Sequence, residues 1–210
     1  MNPIVSVLLT VAEGYLLGSI CFGIIFSKTF SHIDVRDCGS GSAGMTNVLR
    51  SAGALPGALT GIGDFAKGAS AILLGQMLFS SAGLDVYTGG CLAALAALLG
   101  HIFPIYFGFR GGKGVMVTAG FLLVLNPYLL LGVFTVFAIT FAISHIVSLS
   151  SICAAASAPI LNFIIQTIVK GERVFTTLFF LLIAALVIYM HRTNIARLRA
   201  GTEQKLKIKK

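Results

Sequence analysis

Apolar residues run almost without interruption through seven stretches of the chain, 4–26, 65–82, 86–107, 115–131, 133–147, 151–169 and 174–190, and the polar residues gather between them. Runs of roughly 20 apolar residues match the length of a helix that crosses a lipid bilayer. The pattern predicts an all-α integral membrane protein with about seven transmembrane helices. Only Pro127 and Gly132 punctuate the border between the fourth run and the short fifth one, so hydropathy alone also fits five or six crossings.

Composition agrees with this reading. Hydrophobic residues make up 57% of the 210 and charged residues 10%, against roughly 25% charged in soluble domains. After seven crossings no room remains for a soluble domain, so residues 1–210 are expected to form a single polytopic membrane domain with a short basic tail at 204–210. The first 27 residues hold no Lys or Arg, which argues for a retained first helix rather than a secretory leader. The four cysteines, Cys21, Cys38, Cys91 and Cys153, lack the spacing of a disulfide framework or a zinc site.

Charge gives the expected orientation. With the N-terminus outside, seven crossings put 13 of the 15 Lys and Arg on one side and leave only Lys170 and Arg173 opposite. The positive-inside rule makes that side cytoplasmic. Three polar segments then share the cytoplasmic face: GSGSAGMTNVLR (39–50), FRGGKG (109–114) and HRTNIARLRAGTE (191–203).

Glycines bring backbone N–H groups close to an anion, and a helix start adds partial positive charge. In the first segment Ser40, Ser42, Thr46, Asn47 and Arg50 surround such glycines, and phosphate is the natural guest. A polar interfacial turn capped by Ser and Asn is the alternative. The sequence lacks the G-K-[ST] ending of a Walker A loop and the βαβ setting of a dinucleotide fingerprint. FRGGKG adds Arg110 and Lys113 before an apolar helix, as a second phosphate site or a positive-inside anchor. Asp64 and Lys67 are spaced to pair on one helical face near the membrane interface, since a lone charge at the bilayer centre costs on the order of 3 kcal/mol. In the third segment His191, Asn194 and Arg197 fall along one helical face, with His191 able to act as base or phosphate ligand and Gly201 ending the helix before Glu203. The lysines beyond Gln204 suit anionic head groups. His32 and Asp37 have the H-x-x-x-x-D spacing of an unrelated acyltransferase dyad, without its surrounding residues. Glu13, inside the first run, is either a functional carboxylate or a protonated structural one.

Together YLLGSI (15–20), GSGSAGMTNVLR, DFAKG (64–68), HIFPIYFGFRGGKG (101–114), VSLSS (147–151) and HRTNIARLRAGTE resemble, in order, the bacterial acyl-phosphate:glycerol-3-phosphate acyltransferase family of the PlsY type. The resemblance implies acyl transfer from acyl phosphate to the 1-hydroxyl of glycerol 3-phosphate, yielding lysophosphatidic acid and inorganic phosphate. It implies seven helices in the inner membrane, a cytoplasmic site, no cofactor and no metal. Its partners are the two substrates and membrane lipids, not nucleic acid, and the chain is expected to be monomeric. It assigns substrate phosphate to Ser40, Gly41, Ser42, Thr46, Asn47, Arg50, Gly111, Gly112, Gly114 and Arg197, and catalysis to Lys113, His191, Asn194 and Glu203. The chain departs from the family's common GSGNxGATN at Ser42 and Met45, from GGKGVAT at Met116 and Val117, and from a usual proline at Cys21.

No nucleophile elbow is evident, so direct attack by the glycerol hydroxyl is expected, with His191 or a substrate phosphate oxygen as base. An anionic-metabolite transporter is the rival reading, although transporters place polar residues at the bilayer midplane. A metal-dependent phosphotransferase would need clustered carboxylates, and the chain has only 7 Asp and Glu, spread along its length.

Overall fold

Asn2 accepts a hydrogen bond from the Ile4 amide and Pro3 takes the first helical position, so helix α1 (Pro3–Gly18) starts at the chain's end. The computed structural model describes residues 1–169 and 173–206, with backbone alone at Arg173. The Lys170 and Arg173 side chains and tail residues 207–210 lie outside the described set. Among the described residues every regular element is helical, and the chain divides into two compact units, Met1–Leu125 and Asn126–Lys210.

The first unit contains α1, α2 (Phe22–Ser31), α3 (Met45–Ser51), α4 (Ala54–Ser81), α5 (Val86–Ile102) and α6 (Val115–Leu125). Small residues let its long helices approach closely, as membrane helices must when apolar burial cannot drive their association. Gly18 of α1 lies on the Ala97 carbonyl of α5, and Gly100 of α5 lies on the Tyr15 carbonyl of α1; a Cβ at either would strike backbone. On the other side Gly120 of α6 sits against the Phe65 carbonyl of α4. The chain breaks between α1 and α2 at Ser19–Cys21, where Ser19 Oγ donates to the Tyr15 carbonyl.

The second unit contains α7 (Pro127–Ser144), α8 (Val147–Ile168), α9 (Arg173–Met190) and α10 (Arg192–Arg199). Asn126 caps α7 through the Leu129 amide, and Pro127 again occupies the first helical position. A buried polar layer follows: Asn126 Nδ2 donates to Asn162 Oδ1 at 3.4 Å, and Asn162 Nδ2 donates to Thr176 Oγ1 at 2.9 Å and Thr177 Oγ1 at 3.1 Å. It joins the start of α7 to α8 and α9.

These boundaries correct the expected fourth and fifth runs, 115–131 and 133–147. The helices are 115–125 and 127–144, because Asn126 and Pro127 end one and start the other, while Gly132 lies within α7. Among the described residues four helical segments are long and apolar enough to cross a membrane: Pro3–Ser31, Val86–Phe107, Pro127–Ser144 and Val147–Ile168. The pair Val174–Met190 and Arg192–Arg199, bent by 59°, makes a fifth if it is one span. Exposed Leu8, Leu131, Ile143 and Ile168 give the helices the apolar outer surface of an integral membrane protein.

Candidate active site

The first glycine segment is folded by one side chain. Asn47, buried on α3, accepts from the Ser40 amide through Oδ1 at 2.9 Å, and its Nδ2 reaches the carbonyls of Val35, Cys38 and Ser42, each at 3.0 Å. Gly39 and Gly41 hold positive φ of 55° and 71°, and a Cβ at Gly39 would strike Asn47 Oδ1. Cys21, Ile24, Val35, Ala43 and Val48 form the buried apolar floor below the turn. At its edge Arg36 donates to both carboxylate oxygens of Asp34 and, through Nη1, to the Phe107 carbonyl at 2.6 Å. The Arg36 guanidinium holds the Asp34 carboxyl well below the usual carboxylate range. His32 and Asp37 both lie exposed outside this framework.

The second glycine segment turns back onto the end of α5. The Gly111 amide donates to the Ile102 carbonyl and the Gly112 amide to the His101 carbonyl, while Gly114, at φ 84°, accepts from the Thr118 amide as α6 begins. The two segments meet directly, since the Ala43 amide donates to the Gly111 carbonyl at 3.3 Å. With the Arg36–Phe107 bond, that contact joins the segment that carries Ser40, Gly41, Ser42, Thr46, Asn47 and Arg50 to the segment that carries Gly111, Gly112, Lys113 and Gly114, both within the first unit. Arg50 and Gly41 are exposed, Ser40, Ser42, Thr46, Gly111 and Lys113 are half-buried, and Gly112 and Gly114 are buried.

A charged network underlies this pair of turns. Lys67 Nζ donates to the Ile20 carbonyl at 2.6 Å, lies 2.9 Å from His101 Nδ1, and forms an ion pair with Asp64 Oδ1 at 2.9 Å. All three side chains are buried. The His101 ring packs on Gly112, where a Cβ would strike it. The network thus ties the α1–α2 break to the second glycine turn. Elsewhere in α1 both carboxylate oxygens of Glu13 are buried without a hydrogen-bond partner among the described residues.

The third segment organises the second unit. His191 stands at the bend between α9 and α10, where its Nδ1 approaches the Val187 carbonyl at 2.8 Å. A carbonyl only accepts, so Nδ1 carries the proton and Nε2 is the basic nitrogen of the neutral ring. Gly201, at φ 68°, turns the chain so that Glu203 comes back against α8 and α10. Glu203 accepts from Ser148 Oγ at 2.7 Å, Asn194 Nδ2 at 2.7 Å and Arg197 Nε at 2.6 Å. Burial raises its pKa, but the bonds from Arg197, Ser148 and Asn194 outweigh that and leave it below the ordinary value. The Leu206 amide then donates to the His145 carbonyl, pinning the chain beyond the turn. Among the described residues no three His, Cys, Asp or Glu side chains are grouped as a metal ion would require.

Residues 8–201 match the family model described as glycerol-3-phosphate acyltransferase. The chain belongs to that family. It is 41% identical over 207 residues to a glycerol-3-phosphate acyltransferase of Clostridioides difficile strain 630, covering 99% of this chain and 98% of the relative. It is 43% identical to the corresponding protein of Shouchella clausii strain KSM-K16, covering 97% of each chain. Among solved structures it resembles the crystal structure of PlsY (YgiH), an integral membrane glycerol 3-phosphate acyltransferase, in its glycerol 3-phosphate form, with a TM-score of 0.83, 38% identity and 96% coverage of both chains. The lysophosphatidic acid form of PlsY gives a TM-score of 0.80. This acyltransferase fold uses residues that the sequence did not mark. Arg36 acts through a carbonyl 71 positions away, and no local pattern announces such a contact. Ser148 lay in plain view within VSLSS, and only its bond to Glu203 gives it a role.

Proposed function

We propose that this glycerol-3-phosphate acyltransferase takes its acyl group from acyl phosphate and delivers it to the 1-hydroxyl of glycerol 3-phosphate, at the cytoplasmic face of a bacterial inner membrane. Lysophosphatidic acid and inorganic phosphate are the products, and the reaction opens membrane phospholipid synthesis. The observation that carries the reading is the junction of the two glycine turns through Ala43 and Gly111, with Lys113 and Arg50 on the two segments. Both substrates present phosphate dianions, which backbone N–H groups and cations at such a junction recognise.

In the proposed reaction the glycerol oxygen attacks the acyl carbonyl carbon directly. The C–O bond to phosphate breaks as the new ester forms, and phosphate leaves with the bonding electrons. The hydroxyl proton passes to His191 Nε2 or to a substrate phosphate oxygen, whose second pKa is about 6. Lys113 and Arg50 offset the charge that builds on the carbonyl and phosphate oxygens, and positioning supplies much of the acceleration. Glu203 accepts from Asn194 and Arg197, and in the proposed reaction these two side chains serve the substrate.

The test is acyl transfer by purified protein, using radiolabelled glycerol 3-phosphate with palmitoyl phosphate, palmitoyl coenzyme A or palmitoyl acyl carrier protein. Product from acyl phosphate alone is expected. Product only from a thioester would reject the donor, and isolation of a stable acyl-enzyme with donor alone would reject direct attack.

A further inference from the structure

We propose that Met45 and Met116 set the acyl-chain preference of the enzyme by narrowing an apolar groove that receives the alkyl chain of its donor. The proposal rests on the acyltransferase reading above. The groove, about 280 Å³, lies between α3, α4 and α6 and is lined by Met45, Ala58, Gly61, Ile62, Phe65 and Met116. None of the six carries a polar side chain, so it suits an alkyl tail and not a head group.

Its position identifies the occupant. Met45 directly follows Gly44 of the first turn, and Met116 stands two residues after Gly114 of the second. A molecule whose phosphate sits at the paired turns therefore has its apolar end at the mouth of this groove. Ile62 is 65% exposed on the outer surface of α4, so the groove opens toward lipid, from which an acyl phosphate arrives. The only amphiphiles the proposed reaction handles, acyl phosphate and lysophosphatidic acid, both join a phosphate to one long chain.

The two methionines govern its width. A Cβ at Gly61 would come within 2.6 Å of Met45 Sδ, so α4 gives up a side chain where the thioether lies. Methionine is unbranched and fills irregular apolar space by adjusting its torsions. The two methionines come from different helices, α3 and α6, and put their bulk into the same groove.

The experiment measures kcat/KM for saturated acyl phosphates from decanoyl to stearoyl, in mixed micelles, for wild type, the double variant Met45→Ala/Met116→Ala, and Met116→Phe. Thermal unfolding checks each fold. The double alanine variant is expected to raise the stearoyl-to-decanoyl ratio by about tenfold, the scale on which apolar pockets discriminate methylenes. Met116→Phe is expected to lower the ratio, and the KM for glycerol 3-phosphate stays unchanged in both. A ratio that stays within about twofold, including the case in which kcat/KM falls alike for every donor, overturns the proposal. If the wild type uses only thioesters, the donor assignment fails by itself, and the same ratio measured on the thioester series still decides the role of the groove.

Discussion

A single buried amide does more for the first glycine turn than its glycines do. Asn47 joins the Ser40 amide to the carbonyls of Val35, Cys38 and Ser42, so Asn47→Asp turns a donor into an acceptor facing three carbonyls. Each buried polar group left unmatched costs about 1–3 kcal/mol. The variant is expected to unfold at lower temperature in detergent and to show a KM for glycerol 3-phosphate raised by about tenfold or more, since a displaced loop loses its alignment; an unchanged KM would show that the turn holds without this tie. Glu203 gives a pH-dependent counterpart. Its folded pKa lies below the ordinary value of 4.5, so its contribution is complete above that value and is lost as pH falls through the lowered folded value. Hydrogen exchange at Leu206, whose amide reaches His145, is expected to stay slow from neutrality down to that range and to accelerate below it. Glu203→Gln removes the charge, weakens the segment by about 1–2 kcal/mol at neutral pH and abolishes the acid transition. At this scale the sequence showed the residue types but not their duties. Glycine, serine and asparagine in GSGSAGMTN advertise a turn, whereas Asn47's four backbone partners exist only once α3 has folded over the preceding chain.

Helix placement follows hydropathy where punctuation is strong and tertiary contact where it is weak. Pro127 after Asn126 ends one helix and starts the next, but the apolar run continues past it to 131 and hid that boundary. The break between α1 and α2 was hidden too, because the apolar run 4–26 continues through it without a proline, and it is held by Lys67 Nζ on the Ile20 carbonyl. The spacing of Asp64 and Lys67 announced an ion pair, but α4 begins at Ala54, well before the apolar run at 65, and carries the pair inside the unit, where His101 completes the network. Removing one member of such a pair leaves an uncompensated buried charge, at a cost of about 3–5 kcal/mol. Lys67→Met is expected to lower the unfolding temperature sharply, while Asp64→Asn/Lys67→Met, with no charge left behind, recovers part of the loss. A double variant no more stable than Lys67→Met alone would show that the lysine matters through Ile20 and His101 rather than through Asp64. Activity separates these contributions, since the His101 ring rests on Gly112 and its displacement reaches the second glycine turn.

For the whole molecule, the distribution of charge predicts an orientation, and the helix ends supply an independent handle on it. The Met1 ammonium donates to the Ser81 carbonyl at 2.8 Å, which places the start of α1 and the end of α4 at the same end of the first unit. The glycine turns follow the opposite ends of those elements: one lies beyond α2, the other beyond α5, whose first turn is capped by Asp85 through Thr88 just after α4. If the positive-inside rule governs this chain, Ser81 and the N-terminus face outward, while Ala200, in the basic segment after α10, faces the cytoplasm. Crossing counts drawn from helix length do not decide this, because the 11-residue α6 and the bent α9–α10 pair can each be scored either way. Cysteine labelling does. Cys21 and Cys91 are buried and Cys38 and Cys153 half-buried, so a four-serine background carrying Ser81→Cys or Ala200→Cys gives one reactive thiol at a time. A membrane-impermeant maleimide is expected to label Ser81→Cys in right-side-out vesicles and Ala200→Cys only in inverted ones. Labelling of both from one side would make the number of crossings between them even, and labelling of Ser81→Cys only in inverted vesicles would move the glycine turns away from the compartment where glycerol 3-phosphate is dissolved.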